Sequence, residues 1–351
     1  METEKDMNIA RDGSGDNSVQ LLEIQNLKVQ FFTDAGIVRA VDGVDFSVKK
    51  QEVFGIVGES GCGKSMTARS ILQLVPKPGK IISGKILFDG INLLDLTKPD
   101  MQNLRGDAIS MVFQEPMSSL NPVYRVGNQI EEILVAHRRE MSKKDRMDRV
   151  EELLGLVGIP SPKQRARNYP YELSGGMRQR VMIAMALACG NPKLLIADEP
   201  TTALDVTIQA QILELFQELV QKIGMSVILI THDLGVIAET ANRVAVMYAG
   251  SIVESASVTD LFNNPQHPYT QGLIKSLPHG GKNQRKGQLY NIPGNVPNLL
   301  KLKPGCKFFD RCEYAVGEIC LGKEPAVEKI GLGHIARCKR LKEIRKDGGL
   351  I

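Results

Sequence analysis

Short, mostly apolar runs recur along this chain and predict buried β-strands. They lie at residues 53–57, 194–197, 227–231 and 244–247. Strands with one face in water alternate apolar and polar residues, whereas nearly unbroken apolar runs are typical of strands covered on both faces. The runs alternate with helical segments, which indicates an α/β fold with a mostly parallel sheet and helices on its faces.

Helical periodicity is clearest after Asp205. Apolar residues follow it at spacings of three and four until Gly224 supplies a stop signal; they are Ile208, Ile212, Leu215, Phe216, Leu219 and Ile223. The stretch 118–171 shows no strand alternation and is rich in helix formers at 128–139 and 146–157. We therefore expect a helical subdomain there, at about residues 115–175.

The loop after the first apolar run has the spacing of a phosphate-binding loop. It fits the pattern G-x-x-x-x-G-K-[ST], with a strand before it and a helix after it. Glycines let backbone N–H groups and the positive end of the helix converge on one anion, and the Ser hydroxyl would help to hold Mg²⁺. The residues expected at the nucleotide are Gly58, Glu59, Ser60, Gly61, Cys62, Gly63, Lys64, Ser65 and Met66.

Two further segments suit phosphate chemistry. The run 194–197 ends in Asp198 and Glu199, and phosphoryl transfer needs one carboxylate for Mg²⁺ and often another beside the attacking water. Asp198 suits the role of a Mg²⁺ ligand, and Glu199 suits the role of polarising the attacking water. Ser174, Gly175 and Gly176 open a helical stretch, and this is either a second nest of N–H groups for an anion or an ordinary helix cap.

Composition narrows the class of protein. The 351 residues carry a net charge of +4, no Trp and 5% aromatic residues, so no stacking platform for nucleic acid is evident. No apolar stretch approaches the ~18 residues of a membrane span. We expect a cytosolic chain with a disordered leader at 1–19, a main domain at 20–270 and a C-terminal extension at 271–351.

Six motifs in a fixed order make the sequence resemble the nucleotide-binding subunits of ATP-binding cassette transporters. They are the loop 58–65, Gln114, the signature 173–179, the pair Asp198 and Glu199, the segment 202–205, and His232. The resemblance implies a P-loop ATPase whose sheet carries an antiparallel β-subdomain and a helical subdomain. It also implies that ATP closes a dimer of two cassettes and that its hydrolysis releases them.

Individual roles follow from the same resemblance. Phe31, or else Phe32, would stack on adenine. Gln114 would reach Mg²⁺ and the attacking water, while His232 would bond the γ-phosphate. The remaining nucleotide contacts would come from Ser174, Gly175, Gly176 and Asp205, with Ser174 and Gly176 acting on ATP bound to the second cassette. Met177 replaces the more usual Gln of the signature, which leaves the backbone nest intact.

The segments 264–273 and 292–297 narrow the resemblance to the dipeptide, oligopeptide and nickel permease branch. Within that branch, the signature resembles that of the D-type ATPase. This implies the ATPase of a peptide importer, peripheral on the cytoplasmic face of the membrane. Its partners would be an F-type paralogous ATPase rather than a second copy, two membrane permease subunits and an extracytoplasmic peptide-binding protein. A nickel or other solute importer of this branch and a soluble cassette ATPase are the alternatives.

Four cysteines cluster near the end of the chain, at Cys306, Cys312, Cys320 and Cys338. In a reducing compartment, clustered thiols suit a metal site better than disulfides, and four thiolates suit a [4Fe–4S] cluster or a zinc ion. Zinc sites usually show C-x₂₋₄-C pairs, which are missing here, and the family resemblance favours iron–sulfur; zinc and no metal stay open. Cys189 is expected in the core and His334 at the surface.

Overall fold

The computed structural model describes residues 20–114, 119–190, 192–202, 204–277 and 290–346, so the predicted leader lies outside it. Its strands are β1 (Gln20–Thr33), β2 (Gly36–Lys49), β3 (Val53–Val57), β4 (Gly79–Phe88), β5 (Ile91–Asn92), β6 (Ile109–Val112), β7 (Leu194–Asp198), β8 (Ser226–Thr231), β9 (Arg243–Tyr248), β10 (Ser251–Ser257), β11 (Glu328–Gly331) and β12 (His334–Ala336).

The helices of the described chain are α1 (Lys64–Ile71), α2 (Lys98–Leu104), α3 (Val126–His137), α4 (Lys143–Leu156), α5 (Pro162–Arg165), α6 (Gly175–Ala186), α7 (Val206–Ile223), α8 (Leu234–Thr240), α9 (Val258–Asn263), α10 (Pro268–Lys275), α11 (Gly317–Cys320) and α12 (Leu341–Lys346). Short 3₁₀ turns lie at Leu93–Asp95, Pro170–Glu172 and Phe309–Arg311.

The central sheet is the layer that positions the site. Within the described residues its strand order is β11-β12-β10-β9-β3-β8-β7-β6, and β9, β3, β8, β7 and β6 run parallel. Along β3, Val53 and Val57 join one apolar core, whereas Phe54 and Ile56 join the core on the opposite face. Side chains alternate between faces of a strand, so the unbroken apolar runs are what a sheet covered on both faces requires. The predicted strands and the mostly parallel sheet are confirmed.

Two smaller units flank this sheet. The first is an antiparallel sheet of order β2-β1-β4-β5. The second consists of α3, α4 and α5, which lie in the chain between β6 and α6. Helices α3 and α4 pack on α6 through residues such as Ile130 and Leu153, and α5 contacts α4. The antiparallel β-subdomain and the helical subdomain therefore match the expected fold. No described helix is long and apolar enough to cross a membrane.

The end of the chain extends the central sheet. Strand β12 pairs with β10, and β11 pairs with β12, both antiparallel. This pairing brings His334 over Glu254, with His334 Nε2 2.8 Å from Glu254 Oε1, and both side chains are buried. The expectation that His334 lies at the surface was wrong, because β12, which carries it, pairs with β10 and places the imidazole against the buried Glu254 carboxylate. Cys189 lies in the core, only 3% exposed, as expected.

Candidate functional site

The phosphate loop connects the fully buried β3 to α1, at the carboxyl end of the parallel strands. Gly58 and Gly63 have φ angles of 155° and 108°. A Cβ at Gly58 would lie 2.2 Å from the carbonyl oxygen of Met247, and one at Gly63 would lie 2.3 Å from that of Ala40. Glycine is therefore required at each of these two positions. Its backbone can adopt the positive φ angle, and it leaves room for the backbone carbonyl that lies close by.

Lys64 is held under the loop. Its Nζ donates to the carbonyl oxygens of Gly58, at 2.7 Å, and Glu59, at 3.2 Å, and only 4% of its side chain is exposed. Cys62 is 1% exposed, and burial raises the pKa of its thiol. Cys62 therefore fills space in the loop, whereas Lys64 presents a buried ammonium group where phosphate oxygens would bind.

Ser65 and Asp198 face each other at the start of α1 and the end of β7. The Ser65 hydroxyl donates to Asp198 Oδ1 over 2.9 Å. Burial raises the pKa of Asp198, and the hydrogen bond from Ser65 opposes that shift. Neighbouring oxygen ligands of an octahedral Mg²⁺ lie about 2.9 Å apart, because each metal–oxygen distance is about 2.1 Å. The two oxygens therefore fit adjacent ligand positions of one magnesium ion.

Glu199 is the centre of a second group of contacts. Its Oε2 accepts hydrogen bonds from Gln114 Nε2 at 2.9 Å and from the Thr202 hydroxyl at 3.1 Å. His232 Nδ1 lies 3.5 Å from the same oxygen, and Lys64 Nζ lies 3.9 Å from Oε1. The backbone of Glu199 is left-handed, with φ 48°, which a non-glycine residue rarely adopts outside a site that constrains it. The structure thus brings together Gln114, Glu199 and His232, the three residues for which the family resemblance implies roles in hydrolysis.

The signature segment caps its helix. The Ser174 hydroxyl accepts from Met177 N–H at 3.3 Å, at the start of α6. A Cβ at Gly176 would lie 2.5 Å from Ile208 Cγ2, so this glycine lets α6 pack on α7. Asp205 caps α7 by accepting from Ile208 N–H at 3.0 Å. Ser174 and Gly175 are exposed, and none of the described hydrogen bonds joins Ser174 to the phosphate loop of the same chain.

The two candidate adenine-stacking residues differ in exposure. Phe31 packs partly against the apolar core, next to Gly79, where an added Cβ would lie 2.8 Å from the Phe31 ring. Phe32 is 44% exposed, and Lys80 Nζ lies 5.8 Å from its ring centroid. Phe32 is therefore the more accessible of the two rings.

The four clustered cysteines line one small cavity of about 10 Å³, together with His267, Lys339 and Arg340. Burial raises the pKa of Cys312 to about 12 and that of Cys338 to about 11, and the neighbouring cysteines add to both shifts. The four thiols therefore share one environment, in which charged thiolates need compensation. Across the residues that the structure describes, no three His, Cys, Asp or Glu side chains form a group arranged to hold a metal ion.

Contacts between residues that are far apart in the sequence were not predicted. The Tyr269 hydroxyl accepts from Glu59 N–H at 3.0 Å, and Arg311 forms a two-bonded ion pair with the Glu59 carboxylate. Thr202 was part of a predicted motif, but its bond to Glu199 was not predicted. The position of Arg311 directly before Cys312 was the only signal in the sequence for a role of this arginine.

Comparison with known proteins assigns both parts of the chain. Residues 41–202 match the model of the ABC transporter family, and residues 253–320 match the C-terminal region of oligopeptide/dipeptide transporters. The chain is 53% identical over 325 residues to the probable peptide ABC transporter ATP-binding protein y4tR of Sinorhizobium fredii, covering 92% of this chain and 96% of the relative. It is 51% identical over 319 residues to the oligopeptide transport ATP-binding protein AppD of Bacillus subtilis, covering 91% and 96%.

Solved structures agree with the fold. The dimeric structure of the ATP-binding cassette MJ0796 in a post-hydrolysis state, bound to ADP and Pi, superposes with a TM-score of 0.61 at 30% identity. The match covers 68% of this chain and 98% of that one. The part of this chain without a counterpart is therefore additional to a complete cassette.

Proposed function

The chain belongs to the ATP-binding cassette transporter family, as an ATP-binding subunit of its oligopeptide and dipeptide branch, and we propose that it hydrolyses ATP at Glu199 to drive peptide import. The proposed chemistry rests on one observation. Four side chains lie within 4 Å of the Glu199 carboxylate, those of Lys64, Gln114, Thr202 and His232. They hold this carboxylate beside the phosphate loop, where an attacking water must be positioned.

Phosphate binding would use the loop and its lysine. Lys64 is held by the carbonyl oxygens of Gly58 and Glu59, so its ammonium group is already aimed at the anion site. Ser65, Asp198 and Gln114 would hold Mg²⁺, which neutralises charge on the phosphates. The exposed Phe32 ring, or Phe31 beside it, would stack on adenine.

Glu199 would polarise the attacking water. Its carboxylate is largely buried, 12% exposed, and it only accepts hydrogen bonds when ionised. Gln114 and Thr202 fix Oε2, and His232 lies at the exposed side of the group, where the γ-phosphate would lie. General-base catalysis of this kind contributes about 10²–10⁴-fold to the rate.

Replacing Glu199 by Gln tests this assignment. We expect E199Q to bind ATP with near wild-type affinity and to lose at least about 100-fold in hydrolysis rate, because an amide cannot accept the proton of the water. The matched control is E218Q, which alters a surface glutamate paired with Lys222 on α7. An E199Q protein that turns over normally, or that fails to bind ATP, would contradict the role.

We propose that the exposed signature acts on ATP bound to a second cassette. Ser174 and Gly175 face solvent at the start of α6, with Gly176 directly behind them. A helix N-terminus of this kind offers free N–H groups to an anion. An F-type paralogue is the expected partner and a second copy of this chain the alternative. Size-exclusion chromatography of E199Q with ATP, alone and with the paralogue, distinguishes them by which mixture forms the dimer.

The groove for a membrane subunit lies between β6 and α6. A cavity of about 330 Å³ is lined by Met111, Phe113, Ile133, Met182 and Met185, among others. Methionine side chains adapt to the shape of a docked partner. We propose that the segment 116–125 also contributes to this groove; residues 116–118 of it lie outside those that the structure describes, and Val123 and Tyr124 are 72% and 56% exposed.

Adding one positive charge to the groove tests whether the permease subunits dock there. M185K places an ammonium group in the apolar groove, and we expect it to abolish stimulation of ATPase activity by the two permease subunits while basal activity remains. V135K is the control, because Val135 is 46% exposed on α3. A full complex would place this subunit on the cytoplasmic face, with a peptide-binding protein on the other side. Undiminished stimulation of M185K would reject the groove.

The cysteine cavity would hold a [4Fe–4S] cluster. Four thiols line it, the donor set that such clusters use, and the cationic Lys339 and Arg340 beside them suit a negatively charged cluster. The cluster would require the thiols to draw into a common ligand sphere, since no metal-binding group is formed among the described residues. It would brace a tail that has only a small apolar core of its own, made of Ala336, Cys338, Leu341 and Ile344.

Metal content decides between iron, zinc and no metal. We expect anaerobically purified protein to contain four iron and four sulfide per chain, and C338S to lose both. C189S is the control, because Cys189 is also buried but does not line this cavity. Stoichiometric zinc, or metal-free protein with full activity, would reject the cluster.

A peptide cargo is favoured over nickel because the relatives are described as peptide and oligopeptide transport proteins.

A further inference from the structure

The C-terminal segment reaches the phosphate loop through one arginine. Arg311 Nη1 lies 2.6 Å from Glu59 Oε2, and Nη2 lies 2.9 Å from Oε1. Glu59 is the second residue of the loop. The Arg311 side chain is only 6% exposed and that of Glu59 24% exposed, so water screens this pair poorly. Two parallel N–H···O bonds of this kind fix both position and orientation of the carboxylate.

Arg311 is itself held in place by other parts of the chain. Its Nε donates to the carbonyl oxygen of Pro293 at 3.0 Å, and its guanidinium lies over the rings of Tyr248 and Phe308 at 5.8 and 5.9 Å. The 3₁₀ turn Phe309–Arg311 leads directly into Cys312. The arginine is therefore a rigid part of the segment that forms the cysteine cavity, rather than a mobile surface side chain.

The charge on Glu59 creates a problem for a loop that binds a triphosphate. A carboxylate beside an anion site repels the ligand, and for two charges roughly 8 Å apart at an effective dielectric constant of about 20–40 the repulsion weakens binding roughly 6- to 30-fold. The described hydrogen bonds to that carboxylate, and its described ion pair, all come from Arg311. The arginine thus supplies the compensating charge from a segment that lies outside residues 41–202 of the cassette match.

We propose that Arg311 is a positioning residue for the phosphate loop, which neutralises and orients Glu59 and so makes ATP affinity depend on the docked C-terminal segment. The inference rests on the ATP site proposed above. It assigns to the tail a function in the nucleotide site of the same chain, whatever the cysteine cavity contains. Docking of the tail and binding of ATP are therefore coupled, each favouring the other.

The test is a double-mutant cycle on the full chain, with the dissociation constant of a fluorescent ATP analogue as the readout. R311Q leaves Glu59 ionised and unpaired, and we expect about tenfold weaker binding. E59Q removes the charge that needs compensation, so the double variant E59Q/R311Q should bind within about threefold of E59Q alone. R311K keeps the charge without the paired geometry and should lose less affinity than R311Q.

A control separates this effect from loss of folding. Arg243 pairs with Glu52, 3.3 Å away, at the opposite end of β3, and its guanidinium also lies over an aromatic ring, that of Phe54. R243Q therefore removes a similar arginine–glutamate pair far from the loop and should leave nucleotide affinity unchanged. Thermal unfolding by circular dichroism checks that each variant is folded at the assay temperature.

Wild-type affinity in R311Q would overturn the inference. So would an equal loss in E59Q/R311Q and R311Q, because a purely structural brace fails whether or not Glu59 is charged. If the wild-type chain itself bound no ATP analogue, the proposed function would fail first, and the two failures are therefore distinguishable.

Discussion

The buried carboxylate of Glu254 allows a stability effect to be worked out from the structure. Glu254 is 0% exposed. Its Oε1 accepts from Gln266 N–H at 2.7 Å and faces His334 Nε2 at 2.8 Å, while its Oε2 accepts from His267 N–H at 2.8 Å. One side chain therefore ties β10 to the turn before α10 and to β12.

Two substitutions at Glu254 should differ in size. E254A leaves two backbone N–H groups and one imidazole without partners, and loss of one member of such a buried group is worth about 3–5 kcal/mol. E254Q keeps one acceptor oxygen but turns an NH₂ group toward a backbone N–H, so we expect about 1–3 kcal/mol. With an m-value of about 3 kcal/mol/M, E254A would lower the urea midpoint by 1 M or somewhat more.

The assay is urea unfolding followed by far-ultraviolet circular dichroism, since the chain has no Trp for fluorescence. E328A is the matched control: Glu328 is exposed, and it pairs in register with Ala336, the same residue that pairs with Glu254 from the other side. Surface changes of this kind stay within about 0.5 kcal/mol. If E254A and E328A unfolded at the same urea concentration, the buried bonds would not carry the stability assigned to them.

Three further substitutions test other contacts. G58A should abolish ATP-analogue binding in a fluorescence titration, because its Cβ would lie 2.2 Å from the carbonyl oxygen of Met247; retained binding would show that the loop relaxes. Y269F should weaken the hold on Glu59 N–H and lower stability by about 1–2 kcal/mol in urea unfolding, and no change would reject this bond. K307M should cost about 2–3 kcal/mol, because it strands Asp42 in a largely buried position. Burial acts to raise the pKa of Asp42, but Lys307 lowers it overall, so in the wild-type chain the contribution of this pair is present above the unfolded pKa and is lost as the pH falls through the lowered pKa. In K307M burial is no longer opposed by that lysine, so the stability deficit should be largest at neutral pH and shrink in acid; a deficit that grew between pH 7 and pH 4 would contradict this account.

Local patterns were enough to predict the elements that carry the site. The strand at Val53–Val57, the loop after it and the helix ending at Gly224 are each specified by residues close together in the chain, because apolar periodicity and glycine conformations act over a few residues. The approach of Gln114 and His232 to Glu199 followed from motif order and not from any local pattern. Their bond geometry came only from the folded chain.

Long-range contacts could not be predicted in the same way. Arg311 and Glu59 are 252 residues apart, and nothing in the sequence around either one specifies the other. His334 belongs to a short strand whose burial depends on the edge of a sheet formed elsewhere. Sequence patterns report which face of an element is apolar, but the partner of that face is decided by the packing of the whole chain.

The contact between Arg311 and Glu59 can form only late in the synthesis of the chain. Domains form from the N-terminus onward as the ribosome extends the chain. The loop around Gly58 is synthesised early, but its counter-charge arrives only after 252 more residues. A chain released before that point would carry every cassette motif and still hold nucleotide weakly. Such incomplete copies would close poorly on ATP, so the cell's transporters would be powered by subunits that had been translated past residue 311.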